Sequence, residues 1–544
     1  MRASLLDWLD APGADRGIRF ADRDEWHFWS YHRLAVLCHR MAAGLAARGV
    51  RRDDVVVIVQ RSGPHFVAAF FGALLAGAVP SPVAPPVAFQ TPQRHREHLA
   101  GLLAAARPAA VVAGAELLAE LAPLAGLAGQ RRIFTPEQLL EDAPTPARDR
   151  SPGELALLQF TSGSSGSPRG VRVPFAALES NVAAIRRWLH WTEQDATASW
   201  LPVHHDMGLI GCLLTPIVAR GDLWLMRPEH FIGRPLRYLR CFAGAGVRQT
   251  AMPSFGLEHV VRRVRPEQLE GWDFSGWRAA VIGAERVDPN VLERFHTLLG
   301  PHGLAPETLV PAYGLAETTL AATGVPLHTE WREVAVEPAS LSPGSPVVHA
   351  PAGTGGHRAV SCGRPLDGVE VTVAGEDGVE LPDGRVGEIV VGGTSLAAGY
   401  TDADPSASLS RFASGRLHSG DAGFRLDGEL FVLGRLGDRL TVRGHAVFAE
   451  DLEAALGEAG LPLRRLAVAL GVRRGEPTAL VVLEEPTAAA AAATARHVVR
   501  RRIEGAAVAV LPGGHGTVPR TSSGKPRRRI LWNSLVDDER IDQE

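Results

Sequence analysis

Lysine is almost missing from this chain of 544 residues. Lysine and arginine total 57, and Lys525 is the single lysine. A bias towards arginine accounts for the other cations, because most surface positions need only charge. A lysine that survives such a bias marks a place where a broad, planar guanidinium does not serve and a compact ammonium on a flexible stem does. Cysteine is scarce too. Cys38, Cys212, Cys241 and Cys362 show no CxxC or other metal-type spacing, which argues against a zinc module or a disulfide scaffold and predicts reduced, packed thiols. No uncharged apolar run of about 18 residues occurs, so no membrane span is predicted. Met1 to Asp10 carries Asp7 and Asp10 inside its apolar stretch, a poor secretion signal, and a cytoplasmic location is expected. The net charge of -3 lacks the basic excess of a nucleic-acid-binding protein.

What is present is ordinary globular composition, 45% hydrophobic and 22% charged, in a chain long enough for about two or three domains. Short apolar runs alternate with helical patterns from about residue 30 to 325. Val55–Val59, Ala110–Val112, Leu155–Gln159, Thr250–Met252 and Ala279–Ile282 read as strands; Leu34–Ala47 and Val291–Leu299 read as helices. This alternation predicts α/β layers with much parallel sheet. Residues 326–361, rich in Pro, Gly, Ala and His, read as an irregular insert or long loop. From 362 to 433 short strands with Asp-Gly turns (Asp383-Gly384, Asp427-Gly428) predict a β-rich subdomain. After Gly434 the pattern becomes α+β, with helices at 450–459 and 488–504 and strands at 465–471, 479–483 and 507–511. The expected fold is therefore α/β: a large domain of layered subdomains over 1–433 and a small α+β domain over 439–544.

Residues 155–171 run from an apolar strand into Thr161-Ser-Gly-Ser-Ser-Gly-Ser-Pro-Arg169-Gly-Val. Glycines let the backbone approach a phosphate and present N–H groups to it, and the hydroxyls add donors. The Walker spacing GxxxxGK[ST] is absent. This stretch resembles the phosphate loop of the acyl-adenylate-forming superfamily, with Arg169 where that family usually has lysine. Further segments follow in the family's order. Tyr313-Gly-Leu-Ala-Glu-Thr318 is similar to its YGxTE motif, Ser419-Gly-Asp421 to its TGD motif, Gly434-Arg435 through Arg443-Gly444 to its hinge, and Pro519-Arg-Thr-Ser-Ser-Gly-Lys525 to its C-terminal lysine motif.

The resemblance implies roles. Thr161, Ser162, Gly163, Ser164, Ser165, Gly166 and Arg169 would cradle the phosphates of ATP. Gly283, Ala284 and Glu285 would border adenine, with Tyr313 stacked on it beside Gly314. Asp421 would accept from the ribose hydroxyls, helped by Arg435. Glu317, with Thr161, would hold Mg²⁺. Lys525 would bridge the substrate carboxylate and the α-phosphate, where negative charge grows during attack. No base is needed, since a carboxylate is already ionised at pH 7. Residues 434–438 would be the hinge of a mobile C-terminal lid.

Ser199-Trp-Leu-Pro-Val-His-His-Asp-Met-Gly-Leu-Ile-Gly211 resembles the SWLPxYHDMGLIG segment of fatty acyl-AMP ligases, with His204 in place of Tyr. His205 would sit beside the substrate carboxylate. A metal on His204 and His205 is disfavoured, because neighbours on a strand face opposite ways. Ala251-Met-Pro-Ser-Phe-Gly256 resembles the pocket segment APNFAY, so the acid pocket would involve His204, Met207, Gly208, Met252, Ser254 and Phe255. In this branch an insertion near residues 326–361 disfavours free CoA, and the acyl group passes to the phosphopantetheine thiol of an acyl or peptidyl carrier protein. There are departures. Gly437 replaces the usual hinge Lys or Asp and is expected to add backbone freedom. Arg286 stands where the branch has Pro, Ser254 where it has Asn and Gly256 where it has Ala. The alternatives are an acyl-CoA synthetase, an adenylating enzyme for a small acid or oxyanion, and a non-catalytic binding module.

Overall fold

The computed structural model describes residues 4–86, 92–121, 132–141, 153–161, 169–351, 356–401, 409–442, 445–484, 489–521, 524–538 and 541. It is a mixed α/β protein with a large N-terminal and a small C-terminal domain. Two largely parallel sheets form the first part. One takes Val79–Pro82, Val55–Val59, Ala110–Ala113 and Arg132–Phe134, all parallel. Val56–Val59 are buried, as expected of a strand covered on both faces. Tyr31–Ala47 and Pro64–Leu75 pack together beside it. Ser30 caps the former by accepting from the Arg33 N–H, and Leu34, Cys38, Met41 and Leu45 supply its buried stripe.

The nine-stranded sheet positions the site. Its parallel core runs Gly17–Asp22, Leu223–Leu225, Ala196–Ser199, Val247–Met252, Ala279–Ile282 and Leu309–Gly314. In open α/β sheets ligands bind outside the carboxyl ends of the strands. Here four of those ends lead into Trp200–His205, Ser254-Phe255, Gly283–Glu285 and the Tyr313–Glu317 turn, so segments far apart in sequence meet along one edge.

Leu155–Thr161 pairs antiparallel with Arg169–Pro174, placing Thr161 opposite Arg169. An antiparallel sheet of Val369–Ala374, Gly387–Gly393, Arg411–Ala413, Arg416–Leu426 and Glu429–Arg435 follows. Its last hairpin turns at Asp427-Gly428, both left-handed at φ 55° and 77°. Residues 326–361 differ from the irregular reading. Glu333–Val336 pairs with His357–Val360, and Val336, Leu341 and Ala359 share a core with Val386, Phe424, Phe431 and Phe448. Strands this short between Pro- and Gly-rich segments leave no readable alternation.

In the C-terminal domain Leu466–Arg473, Glu476–Leu483 and Ala507–Pro512 form a sheet. Helices Ala449–Glu458 and Ala489–Arg502 help close a core around Leu452, Leu456, Val468, Val481, Val499 and Val510, while Arg528–Leu535 places Leu531 among Leu480, Val482 and Leu511. No described helix is long and apolar enough to cross a membrane.

Candidate active site

Glu317 lies on the turn Ala316–Thr318 directly after Leu309–Gly314 and is only 7% exposed. The Tyr400 hydroxyl donates to its Oε1 at 2.7 Å. The Arg169 guanidinium sits 3.4 Å from the centroid of the same ring and donates to the Ser410 carbonyl. Tyr400 therefore joins the carboxylate and the phosphate-loop cation that sequence comparison pointed to separately. Burial and the Glu317 charge raise its phenol well above the ordinary value, so it stays a hydrogen-bond donor. Thr161 borders this group through its pairing with Arg169. Ser162, Gly163, Ser164, Ser165 and Gly166 lie outside the described residues.

A second cluster holds Tyr313, Asp421 and Arg435. The Tyr313 hydroxyl donates to Asp421 Oδ2 at 2.7 Å, and Arg435 Nε meets Oδ1 at 2.9 Å. Asp421 and Arg435 are register partners in one hairpin. Arg435 also donates to the Ser419 carbonyl at 3.0 Å. Burial and the neighbouring Asp421 raise the Tyr313 phenol, and Asp421 above all raises the Arg435 guanidinium. The result is a rigid acceptor beside an aromatic face, with Gly314 ending the strand that carries Tyr313.

The third cluster forms around the single lysine. Lys525 as a residue is exposed, yet its amine crosses to the large domain and donates to the Ala284 carbonyl. Ala284 holds φ 67°, an unusual left-handed conformation that re-aims the chain after Ile282. Glu285 Oε1 accepts the Phe255 N–H at 2.8 Å. Burial lowers the proton affinity of Lys525, partly opposed by Glu285, and burial raises the Glu285 carboxyl. His205 is pushed down to about 4, by burial first and Lys525 second, so it is neutral at pH 7. His204 is lowered by burial and by His205, whose ring centroid lies 4.6 Å away. Both histidines occupy a turn, not a strand, so the strand argument against a shared metal does not apply. Among the described residues, no group of three or more metal-ligating side chains is present.

Asp206 accepts from the Met207 N–H at 2.8 Å, starting the π-helical stretch Met207–Leu214. Gly208 is required there, since a Cβ would lie 2.2 Å from the Pro202 carbonyl oxygen. Met252 is buried at a strand end, and Ser254 and Phe255 open the next helix.

Several participants were not singled out from sequence. Tyr400 is one, although only four tyrosines exist and rarity was an available signal. A second group is Asp451 and His357, which meet Arg286, noted from sequence only as a departure from Pro. Arg286 Nη1 donates to Asp451 Oδ1, which also meets His357 Nδ1 at 3.3 Å. Burial opposes ionisation of Asp451, but Arg286 and His357 outweigh it and hold the carboxyl well below the usual range. This triad joins the cleft wall, the C-terminal domain and the 357–360 strand. Gly437 also allows a close approach: its φ is not left-handed, and a Cβ would fall 2.7 Å from Leu409 Cδ1.

Likenesses of three kinds agree with this geometry. The sequence profile of AMP-binding enzymes matches residues 11–401. A putative acyl-CoA synthetase of Caulobacter vibrioides is 30% identical over 90% of this chain and 87% of its own length. The medium-chain-fatty-acid–[acyl-carrier-protein] ligase JamA of Moorena producens is 30% identical over 92% and 88%. A solved structure from work on fatty acyl-adenylate ligases of E. coli and L. pneumophila superposes with a TM-score of 0.88 at 27% identity, covering 98% of this chain and 97% of that one. The chain belongs to the AMP-binding, adenylate-forming enzyme family.

Proposed function

We propose that this enzyme activates a carboxylic acid with ATP and passes the acyl group to a carrier-protein thiol. A substrate carboxylate oxygen attacks the α-phosphorus, the bond to the β-phosphate breaks, and pyrophosphate leaves. The thiol sulfur then attacks the acyl carbon, loses its proton, and AMP leaves. Lys525 carries this reading: the chain's single lysine reaches across a domain boundary to Ala284, beside neutral His205. There a fixed positive charge meets the charge that builds between carboxylate and α-phosphate. Asp421, held by Tyr313 and Arg435, suits ribose hydroxyls. Glu317 and Thr161 suit Mg²⁺, which binds through one or two carboxylates together with phosphate oxygens and water. Bound there, the ion would neutralise phosphate charge.

The carrier thiol as acceptor is supported by the JamA likeness; the Caulobacter relative supports free CoA as the second reading. The test has two stages. Acid-dependent ATP–pyrophosphate exchange across an acid panel should appear, and no exchange with any acid overturns the adenylation reading. Acyl-AMP should then load a phosphopantetheinylated carrier faster than free CoA, and the reverse order favours the second reading.

A further inference from the structure

The two segments expected to wall the acid carry polar atoms that the protein leaves unanswered. Trp200 Nε1 and Ser254 Oγ are buried without a hydrogen-bond partner among the described residues, as is His204 Nε2. Trp200 is 4% exposed and Ser254 7%. They issue from the carboxyl ends of adjacent parallel strands, Ala196–Ser199 and Val247–Met252, the edge where this sheet gathers its site.

Ring geometry brings the two segments together. Trp200 stacks on Phe231 with centroids 4.2 Å apart and planes 5° off parallel. Phe255 stands edge-on to it at 6.1 Å. Gly256 lets the indole close in, since a Cβ there would lie 2.8 Å from Trp200 Cζ2. That carbon belongs to the edge carrying the indole nitrogen, so the Nε1 side of the ring borders the first helical turn, where Ser254 sits. An added methyl at position 256 would push this edge away.

A buried donor without a partner destabilises the fold, and in folded proteins such groups are normally satisfied by protein, water or ligand. Indole N–H only donates, and a serine hydroxyl both donates and accepts. Their common complement is an oxygen acceptor. An unbroken alkyl chain supplies none and would leave both groups desolvated.

We propose that the acid taken here bears a hydroxyl or oxo oxygen on its chain near the carboxyl end, recognised by Trp200 Nε1–H and Ser254 Oγ–H. This rests on the adenylation reading above. The test is ATP–pyrophosphate exchange by the full chain with an alkanoic acid and its α-hydroxy, β-hydroxy and α-oxo counterparts of equal length. At least one oxygenated acid should exceed the alkanoic acid in kcat/KM by about tenfold or more, within the discrimination open to a site built to hydrogen-bond its substrate. Ser254→Ala and Trp200→Phe should each reduce that ratio at least about fivefold, the scale of one lost hydrogen bond. Ser254→Thr keeps the hydroxyl and should keep the preference. Circular dichroism identifies any variant that fails to fold, and the wild-type panel stands without the variants. An alkanoic acid that is equal or better overturns the proposal while leaving adenylation intact, and assigns these atoms to ordered water. A preference unchanged in both folded variants overturns it as well. Absence of exchange with every acid overturns the adenylation reading and this proposal with it.

Discussion

The C-terminal domain meets the large domain along two unlike surfaces. At the cleft, opposite charges face each other: Asp451 of the small domain pairs with Arg286 of the large one, with the His357 ring beside it. At the outer seam, like charges do. Arg464 lies 3.7 Å over the Phe255 ring, and its charged neighbours are Arg262 and Arg263 of the large domain and Arg520 of its own. Burial, with these cations second, pushes the Arg464 guanidinium down to about 10. One surface attracts and the other repels. Attraction at the one surface and repulsion at the other therefore oppose each other where the two domains meet.

The largest break should come at the cleft. Lys525→Arg keeps the charge but changes its reach and shape. Pyrophosphate exchange should fall at least about a hundredfold, the scale of losing one preorganised oxyanion partner. Transfer from presynthesised acyl-AMP should fall far less; equal losses would mean that Lys525 serves both steps or the fold. Glu317→Gln should follow, with exchange reduced about tenfold or more at limiting Mg²⁺. Unchanged exchange there removes Glu317 from the site.

Asp451→Ala attacks the attraction itself. It leaves Arg286 inside the interface without its carboxylate, a change worth about 2 kcal/mol given the partial exposure of the pair. Amides of Ala449–Glu458 should exchange hydrogen roughly thirtyfold faster if docking protects them. The pH sign follows from the lowered Asp451 carboxyl. Its contribution is present above the unfolded carboxylate value of about 4 and is lost as pH falls below it. Protection should therefore match at neutral and mildly acid pH and decline only in stronger acid. A decline centred on neutral pH would place the control on a histidine.

The smallest effect should come from the seam. Arg464→Gln removes one repulsive cation and also its contact with Phe255, and these oppose each other within about 1 kcal/mol. Salt sharpens the measurement, because screening relieves repulsion between exposed charges. Raising ionic strength should favour docking more in the wild type than in Arg464→Gln. An identical response in both proteins would remove charge repulsion from the seam.

The outline of the fold was legible because local signals coincide with it. Val55–Val59 and Ala279–Ile282 are short apolar runs largely buried by their neighbours, and helix and strand periods differ enough to separate them. The hairpin at Glu333–Val336 and His357–Val360 was not legible, because four-residue strands carry too little alternation. The tight seat of Gly437 was not legible either, because close approach to Leu409 depends on a contact outside the local segment.

Motif order and the lone lysine were enough to name the chemistry, since spacing within a loop and a compositional anomaly are properties of the chain alone. Tertiary contact determined which groups act together. Tyr400 joins Glu317 to Arg169, Asp451 draws together Arg286 and His357, and Trp200 meets the Ser254 turn through the missing Cβ of Gly256. Each is a pairing across tens to hundreds of residues, set by which strand ends lie side by side. No local pattern encodes that adjacency, because it follows from strand order and packing.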